Sequence, residues 1–123
     1  MCCNGDMYVP KVFAVDDVPK LQDFMDEFNF ATVVTERDGE LNASHIPFWL
    51  DRSEEPYGVL RAHFAVRNPQ LKDLQSGSQA LVIFQGPHTY VSPSWYVKPE
   101  NVPPGITRWC MLTAFPKSWM KRA

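Results

Sequence analysis

Three histidines are the side chains in this sequence best suited to chemistry, and each lies in or beside a different strand-like segment. They are His45, His63 and His88. Three imidazoles can bind zinc or iron, but no two of these histidines have a local ligand spacing and the sequence offers no evident fourth ligand. Ordinary hydrogen-bonded histidines are therefore favoured over a metal site. A serine nucleophile is not indicated either, since no G-x-S-x-G sequence occurs.

Residues 62–70, AHFAVRNPQ, gather groups that can bind an anion. His63 and Arg67 supply an imidazole and a guanidinium, and Asn68 followed by Pro69 is typical of a helix start. Backbone N–H groups at a helix start and an adjacent arginine can together bind a phosphate. Taken alone, however, the segment favours a simple helix cap and a solvated Arg67.

Two further stretches carry hydrogen-bonding and aromatic side chains, namely residues 42–47 (NASHIP) and 85–96 (QGPHTYVSPSWY). Aromatic side chains at this density more often fill a core or a dimer interface than bind a ring system. The acidic residues lie mostly in turns or on a helix face, which favours a solvated surface for them. Neither the G-x-G-x-x-G nor the G-x-x-x-x-G-K nucleotide-binding motif occurs.

Two short helices are predicted among the elements that must position these groups. The first is capped by Asp16 or Asp17 and has Pro19 in its first turn. Its apolar face recurs at helical spacing and comprises Val18, Leu21, Phe24, Met25 and Phe28. The second runs to residue 75 from the cap at Asn68, with Pro69 in its first turn, Leu71 and Leu74 facing inward and Gly77 ending it.

Strands are predicted over residues 8–15, 30–36, 40–51, 57–65 and 79–85. Asp38-Gly39 is a tight-turn signal that joins the second and third of these strands into a hairpin. Gly86-Pro87 interrupts the last strand, which resumes over 88–91 beyond a turn or bulge, and four prolines indicate a loop or edge segment over 92–105. The pattern predicts a mostly β (α+β) domain, a small antiparallel barrel or sheet with helical plugs.

Length and composition fit one globular domain of 123 residues, with 45% hydrophobic and 21% charged residues. They exclude a disordered chain, a collagen-like chain and a coiled coil. The longest apolar run, residues 80–84, is far too short for a membrane helix, and no signal peptide is evident, so we expect a cytoplasmic protein without a membrane partner. Cys2, Cys3 and Cys110 are then expected to be free thiols.

Charge divides the chain into two unlike parts. Residues 1–103 contain all 14 acidic side chains against 8 basic ones, a net charge of −6, whereas residues 104–123 contain four basic side chains and no acidic one. The acidic main part repels phosphate backbones, so direct nucleic-acid binding through it is disfavoured.

Several ordered motifs together carry a family resemblance. They are MYVPK at Met7, FATVVT at Phe30, SHIP at Ser44, HFAVRNPQ at His63 and LVIFQGPHTYVSPSWY at Leu81. This series resembles the PaiB-type FMN-binding negative transcriptional regulator family. The resemblance implies an FMN-binding split β-barrel, related in architecture to pyridoxamine-phosphate oxidases, that forms a homodimer with FMN at the subunit interface. DNA binding is implied by the resemblance only, since no helix-turn-helix signal is evident.

The resemblance also implies a set of cofactor-binding residues. Ser44 and His45 would face the flavin phosphate side. The phosphate or ribityl region would be lined by His63, Arg67, Asn68 and Gln70. The flavin ring or the interface would involve Gln85, Tyr90 and Trp95. No catalytic residue is implied.

After Pro103 the sequence departs from the family pattern, which continues with a T-W-N-Y-like motif, a strand and a C-terminal helical region. A back-translation shifted by one base at the Pro103 codon permits T-W-N-Y-T-V-V-H-A-Y-G. We therefore expect a lost base there and three parts: an N-terminal extension (1–6), a partial split-barrel flavin-binding domain (7–103) and an out-of-frame tail (104–123). A tail not selected for packing should form no regular strand over 107–115, and the truncated chain should bind FMN weakly.

The sequence leaves two other functions open. The first is a flavin-dependent oxidoreductase related to pyridoxamine-phosphate oxidases, which turnover of reduced nicotinamide by the flavin-loaded protein would reveal. The second is an interaction domain without flavin, which predicts a colourless protein at every flavin concentration.

Overall fold

The computed structural model describes residue 11, residues 14–90 and residues 105–114, with side chains described as far as Pro87. The elements in chain order are α1 (Val18–Glu27), β1 (Phe30–Arg37), β2 (Glu40–Asp51), β3 (Val59–Ala62), α2 (Gln70–Gln75), β4 (Ala80–Tyr90) and β5 (Gly105–Ala114). The strands form one antiparallel sheet in the order β3-β2-β1-β4-β5. The predicted mostly β class with two short helices is confirmed. No helix in the described part of the chain has the length and apolar character needed to span a membrane.

Helix α1 begins as its sequence predicts. Asp17 is the N-cap, and its carboxylate accepts a hydrogen bond from the N–H of Lys20 at 3.3 Å. Leu21 and Met25 are buried, one turn apart on the same face.

The β1–β2 hairpin depends on its two-residue turn. Asp38 and Gly39 both have positive φ angles, 53° and 81°, which a type I′ turn requires and which aspartate and glycine tolerate. The turn sets Arg37 opposite Glu40, and the register then continues without a break to Phe30 opposite Pro47. Both the turn and the length of β2 are as predicted.

The core lies on one face of the sheet, where both helices pack. Its buried side chains are Leu21, Met25, Ala31, Val33, Leu50, Ala80, Val82 and Phe84. Phe84 is completely buried and contacts Phe48 with ring centroids 5.9 Å apart. Leu74 of α2 packs against the same cluster. This common core holds α1 and α2 on the same side of the hairpin.

Two strands have bounds that differ from the prediction by more than one residue. β3 covers only 59–62 of the predicted 57–65, because the chain leaves the sheet after Ala62. β4 runs through Gly86-Pro87 to Tyr90, with a shift in register between Gln85 and His88. Of the turn or bulge predicted at this point, the structure has a bulge, which lets Pro87, a residue without an N–H, lie in the strand without a missing ladder bond. Most of the predicted 8–15 strand and of the 92–105 loop lies outside the described residues. Lys11, Ala14 and Val15, the described positions of the 8–15 segment, are not in a strand.

Residues 105–114 form a strand, and the expectation of an irregular 107–115 segment was wrong. β5 pairs with β4 from Tyr90 opposite Gly105 to Ala80 opposite Ala114. The segment ITRWCMLTA is rich in β-branched and aromatic residues and contains no proline. Because strand pairing uses backbone groups, the edge of β4 can bind such a segment whatever its origin. The presence of β5 therefore does not test whether the tail is out of frame, and the lost base stays a prediction.

Candidate functional site

Ser44 and His45 lie on opposite faces of the sheet, because side chains alternate along a strand. Ser44 is half-buried on the helix side, where its hydroxyl accepts a hydrogen bond from Asn68 at 3.1 Å. His45 is exposed on the other side, where its Nδ1 shares a hydrogen bond with the hydroxyl of Thr32 at 2.8 Å. Ser44 and His45, which were both predicted to face the flavin phosphate, therefore do not lie on one common face of this sheet.

The segment that carries Arg67 is a tight turn closed by a hydrogen bond from the N–H of Asn68 to the carbonyl of Ala65, at 2.9 Å. The Asn68 side chain accepts a hydrogen bond from the N–H of Gln70 at 3.0 Å while it donates to Ser44. Asn68 therefore ties the end of the turn to β2.

Helix α2 begins one residue later than predicted, since Pro69 rather than Asn68 is the N-cap and makes no side-chain cap bond. The helix has only six residues, so its aligned backbone dipoles add little at its start. Binding of an anion here must depend mainly on side chains.

Arg67 differs from the other arginines whose side chains are described. Arg37, Arg52 and Arg61 each have a side-chain nitrogen within 3.0 Å of an aspartate oxygen. Arg67 is exposed and has no ion-pair partner among the described residues. Its guanidinium is available to bind an external anion, for which it offers a planar set of donors.

A groove of about 480 Å³ lies next to this turn, along the edge of β2 and β3. Its lining residues are Asn29, Pro47, Phe48, Trp49, Arg61, Ala62 and His63. The guanidinium carbon of Arg61 lies 5.7 Å from the centroid of the Trp49 ring, a cation–π contact. The predicted site residue His63 thus lines a mainly apolar groove that contains an exposed aromatic ring.

Arg61 is held in this position by Asp51, whose carboxylate lies 3.0 Å from it. The Ser53 hydroxyl donates to the same carboxylate at 2.6 Å and the Ser53 N–H at 3.1 Å. These two hydrogen bonds, followed by Arg61, lower the pKa of Asp51 below its ordinary value. The ionised carboxylate keeps Arg61 beside the Trp49 ring.

Gln70 was predicted to line the cofactor site, but its side chain points into the protein. It is 1% exposed, and its Nε2 donates to the carbonyls of Val33 at 2.9 Å and Asn42 at 3.0 Å. Its described contacts fasten α2 to both strands of the hairpin.

Asp73 is a residue that the sequence analysis missed. Its side chain is fully buried, whereas the acidic residues were expected to be solvated. It accepts hydrogen bonds from Thr35 at 2.8 Å and Asn42 at 3.2 Å, and Arg37 Nε lies 3.0 Å from its other oxygen. The spacing of Gln70 and Asp73, three residues apart on one helix face, is the signal that could have indicated this role. The predicted inward residues, Leu71 and Leu74, are only half-buried.

The remaining predicted positions lie on or beyond β4. Gln85 is exposed immediately before the bulge and faces Trp109 in the backbone register. The side chains of His88 and Tyr90, and all of Trp95, lie outside the described residues. Within the described part of the chain, no three His, Cys, Asp or Glu side chains come together as a metal site.

Sequence comparison places these features in a family. Residues 7–109 match the family model described as "Putative FMN-binding domain". The chain is 41% identical over 97 residues to the Bacillus subtilis Protease synthase and sporulation protein PAI 2, covering 79% of this chain and 46% of that protein. An uncharacterized protein of Aspergillus fumigatus is 31% identical over 120 residues, covering 73% of this chain and 46% of the relative. The chain spans about half the length of the curated relatives it matches.

The fold also matches that of a solved structure, the FAD and heme binding protein from Mycobacterium smegmatis. The TM-score is 0.64 at 24% sequence identity, and the match covers 82% of this chain and 45% of that chain. This likeness supports the strand and helix arrangement. The family model covers most of the chain and agrees with the bacterial relative, and the chain therefore belongs to the PaiB-type family of FMN-binding domains.

Proposed function

We propose that this chain is the FMN-binding part of a split-barrel flavoprotein, and that Arg67 binds the FMN phosphate. The observation that carries the proposal is the exposed guanidinium of Arg67, which has no carboxylate partner in the described part of the chain. A dianionic phosphate supplies the charge and acceptor oxygens that this guanidinium lacks. His63 and Asn68 lie within a few residues of it and offer further donors.

The groove and the turn are spaced for a ligand with a ring at one end and a phosphate at the other. Ala62 lies opposite Phe48 in the register, and Asn68 contacts Ser44. Residues 62–68 therefore follow β2 over four residues, about 13 Å at the rise of an extended strand. In this arrangement the flavin ring lies in the groove near Trp49, the ribityl chain passes His63, and the phosphate reaches Arg67.

The residues fit FMN chemically as well as in spacing. The groove offers apolar walls and the Trp49 ring, which suit a planar heteroaromatic group. FMN, when bound, would supply reversible electron and hydride transfer. The contribution of the chain's own residues is to bind the phosphate, orient the ring and exclude water from one of its faces.

The test compares FMN with riboflavin, which lacks the phosphate, by titration of flavin fluorescence. The variant is Arg67→Gln, and its matched control is Arg52→Gln, which removes a surface arginine that already has carboxylate partners. Loss of a charge-assisted phosphate contact should raise the FMN dissociation constant about tenfold or more and leave riboflavin binding unchanged. An unchanged FMN to riboflavin affinity ratio in Arg67→Gln would overturn the assignment of Arg67.

A homodimer is part of the proposal. The sheet face opposite the helices exposes large apolar side chains, with Phe30 and Trp49 both 63% exposed. A second copy that covers this face would bury these rings and close the open side of the groove. Light scattering of the FMN-loaded chain should give the mass of a dimer, and a monomer mass would contradict this part of the proposal.

Transcriptional regulation in the cytoplasm is proposed from the family membership. The charge of −6 over residues 1–103 disfavours DNA contact through this part of the chain. A DNA-binding role would then depend on another segment of the protein or on a partner. Gel-shift titration of the FMN-loaded protein at low and high salt tests this part of the proposal.

A further inference from the structure

Helix α2 is fastened to the β1–β2 hairpin by polar side chains rather than by a wide apolar face. Its two buried side chains are Gln70 and Asp73. Gln70 bonds a backbone carbonyl on each strand, and Asp73 accepts from Thr35 on β1 and from Asn42 on β2. These partners are at least 28 residues away in the chain, so the contacts are tertiary.

Hydrogen bonds to a buried carboxylate specify position more narrowly than apolar packing does. The half-buried leucines of α2 would tolerate a small slide of the helix along the core, because apolar contacts are not directional. A slide of Asp73 would instead separate it from Thr35 and Arg37, leaving a buried carboxylate without compensation. Asp73 therefore sets the position of α2 on the sheet.

The position of α2 in turn sets the position of Arg67. The N–H of Leu71 donates to the carbonyl of Asn68 at 3.0 Å, and the N–H of Asn68 closes the turn that contains Arg67. The Asn68 side chain joins this turn to both Gln70 and Ser44. A series of hydrogen-bonded residues leads from Asp73 through Asn42 and Gln70 to Asn68, whose N–H closes the turn next to Arg67.

We propose that Asp73 is a positioning residue for phosphate binding, which holds the Arg67 turn against β2 through helix α2. This inference rests on the proposed function, in which Arg67 binds the FMN phosphate. Asp73 itself is fully buried, so its proposed effect on phosphate binding is exerted through the Arg67 turn.

The experiment measures FMN and riboflavin dissociation constants for Asp73→Ala, Asp73→Asn and the control Val82→Ala in the full chain. Val82 is a buried core residue of β4, and its truncation lowers stability without altering the polar contacts of α2. Asp73→Ala should raise the FMN constant about tenfold and leave the riboflavin constant within about twofold. Asp73→Asn, which can still accept from Thr35 and Asn42, should stay within about threefold of the parent for both flavins.

Combining Asp73→Ala with Arg67→Gln separates the two proposals. If Asp73 acts through Arg67, the double variant should bind FMN no more weakly than Arg67→Gln alone. Equal weakening of FMN and riboflavin by Asp73→Ala, as in Val82→Ala, would mean a merely structural role and overturn this inference alone. An unchanged flavin ratio in Arg67→Gln would instead overturn the proposed function, and this inference with it.

Thr35→Val provides a second route if Asp73→Ala does not fold. It removes one hydrogen bond to Asp73 at nearly constant volume. It should shift the flavin ratio in the same direction as predicted for Asp73→Ala, and by less. No shift in a folded Thr35→Val protein would overturn the inference.

Discussion

Replacing Arg37 with glutamine should reveal how much the protein depends on neutralising a buried charge. The Asp73 side chain is fully buried and lies 3.0 Å from Arg37 Nε, whereas the Arg37 side chain is 43% exposed. For charge centres about 4 Å apart and an effective dielectric constant of about 20, as near a protein surface, the Coulomb interaction is about 4 kcal/mol. Solvent screening of the exposed arginine reduces this value, so we expect Arg37→Gln to lower the free energy of unfolding by about 2 to 3 kcal/mol.

The assay is thermal and urea unfolding followed by circular dichroism. A loss of this size should lower Tm by roughly 6 to 12 °C in a domain of this length. Arg52→Gln is the matched control, because its ion pairs with Asp23 and Asp26 are exposed and should contribute less than about 1 kcal/mol.

A second substitution identifies the cause of the loss. Asp73→Asn in the Arg37→Gln background removes the buried negative charge, so it should recover most of the lost stability. A further decrease in stability on adding Asp73→Asn would refute the reasoning, as would equal losses in Arg37→Gln and Arg52→Gln.

Three other predictions concern turns, acid stability and the tail. In chemical unfolding, Gly58→Ala should lower the free energy of unfolding by more than Gly39→Ala does. Both glycines have a positive φ, but only at Gly58 would the new Cβ lie 2.9 Å from a backbone oxygen, that of Asp51. Ser53→Ala should raise the pKa of Asp51, measured by NMR titration of its carboxyl. The pKa of Asp51 is lower in the folded protein than in the unfolded chain, so ionised Asp51 stabilises the fold at pH values above its unfolded-state pKa, and this stabilisation is lost as the pH falls through its folded-state pKa. Ser53→Ala reduces the pKa difference, so the variant should lose less stability on acidification than the parent protein. An equal loss would contradict this reasoning. A version with the frame restored after Pro103 should bind FMN more tightly than this chain in fluorescence titrations, and equal affinities would contradict the out-of-frame account of the tail.

Local sequence patterns predicted those helices and strands that are determined by residues close together in the chain. Asp38-Gly39 and the alternation of apolar side chains suffice for the hairpin, and the cap and spacing of α1 suffice for that helix. The same alternation already implies that Ser44 and His45 face opposite sides of the sheet, a consequence that the resemblance alone did not reveal. The family assignment likewise followed from ordered motifs in the sequence.

The tertiary structure decided which polar residues are buried and which of the described arginines has no carboxylate partner among the described residues. Asp73 is 38 residues from Thr35 and 31 from Asn42, so no local pattern could show that these side chains meet. The strand at 105–114 likewise forms by pairing with the free edge of β4, so its formation depends on a segment outside the tail. Arg67 stands out only once the other described arginines are seen beside their aspartates. The burial of a side chain and its ion pairing depend on residues that are distant in the chain and close in space. The sequence therefore determines them only through the fold that brings those residues together.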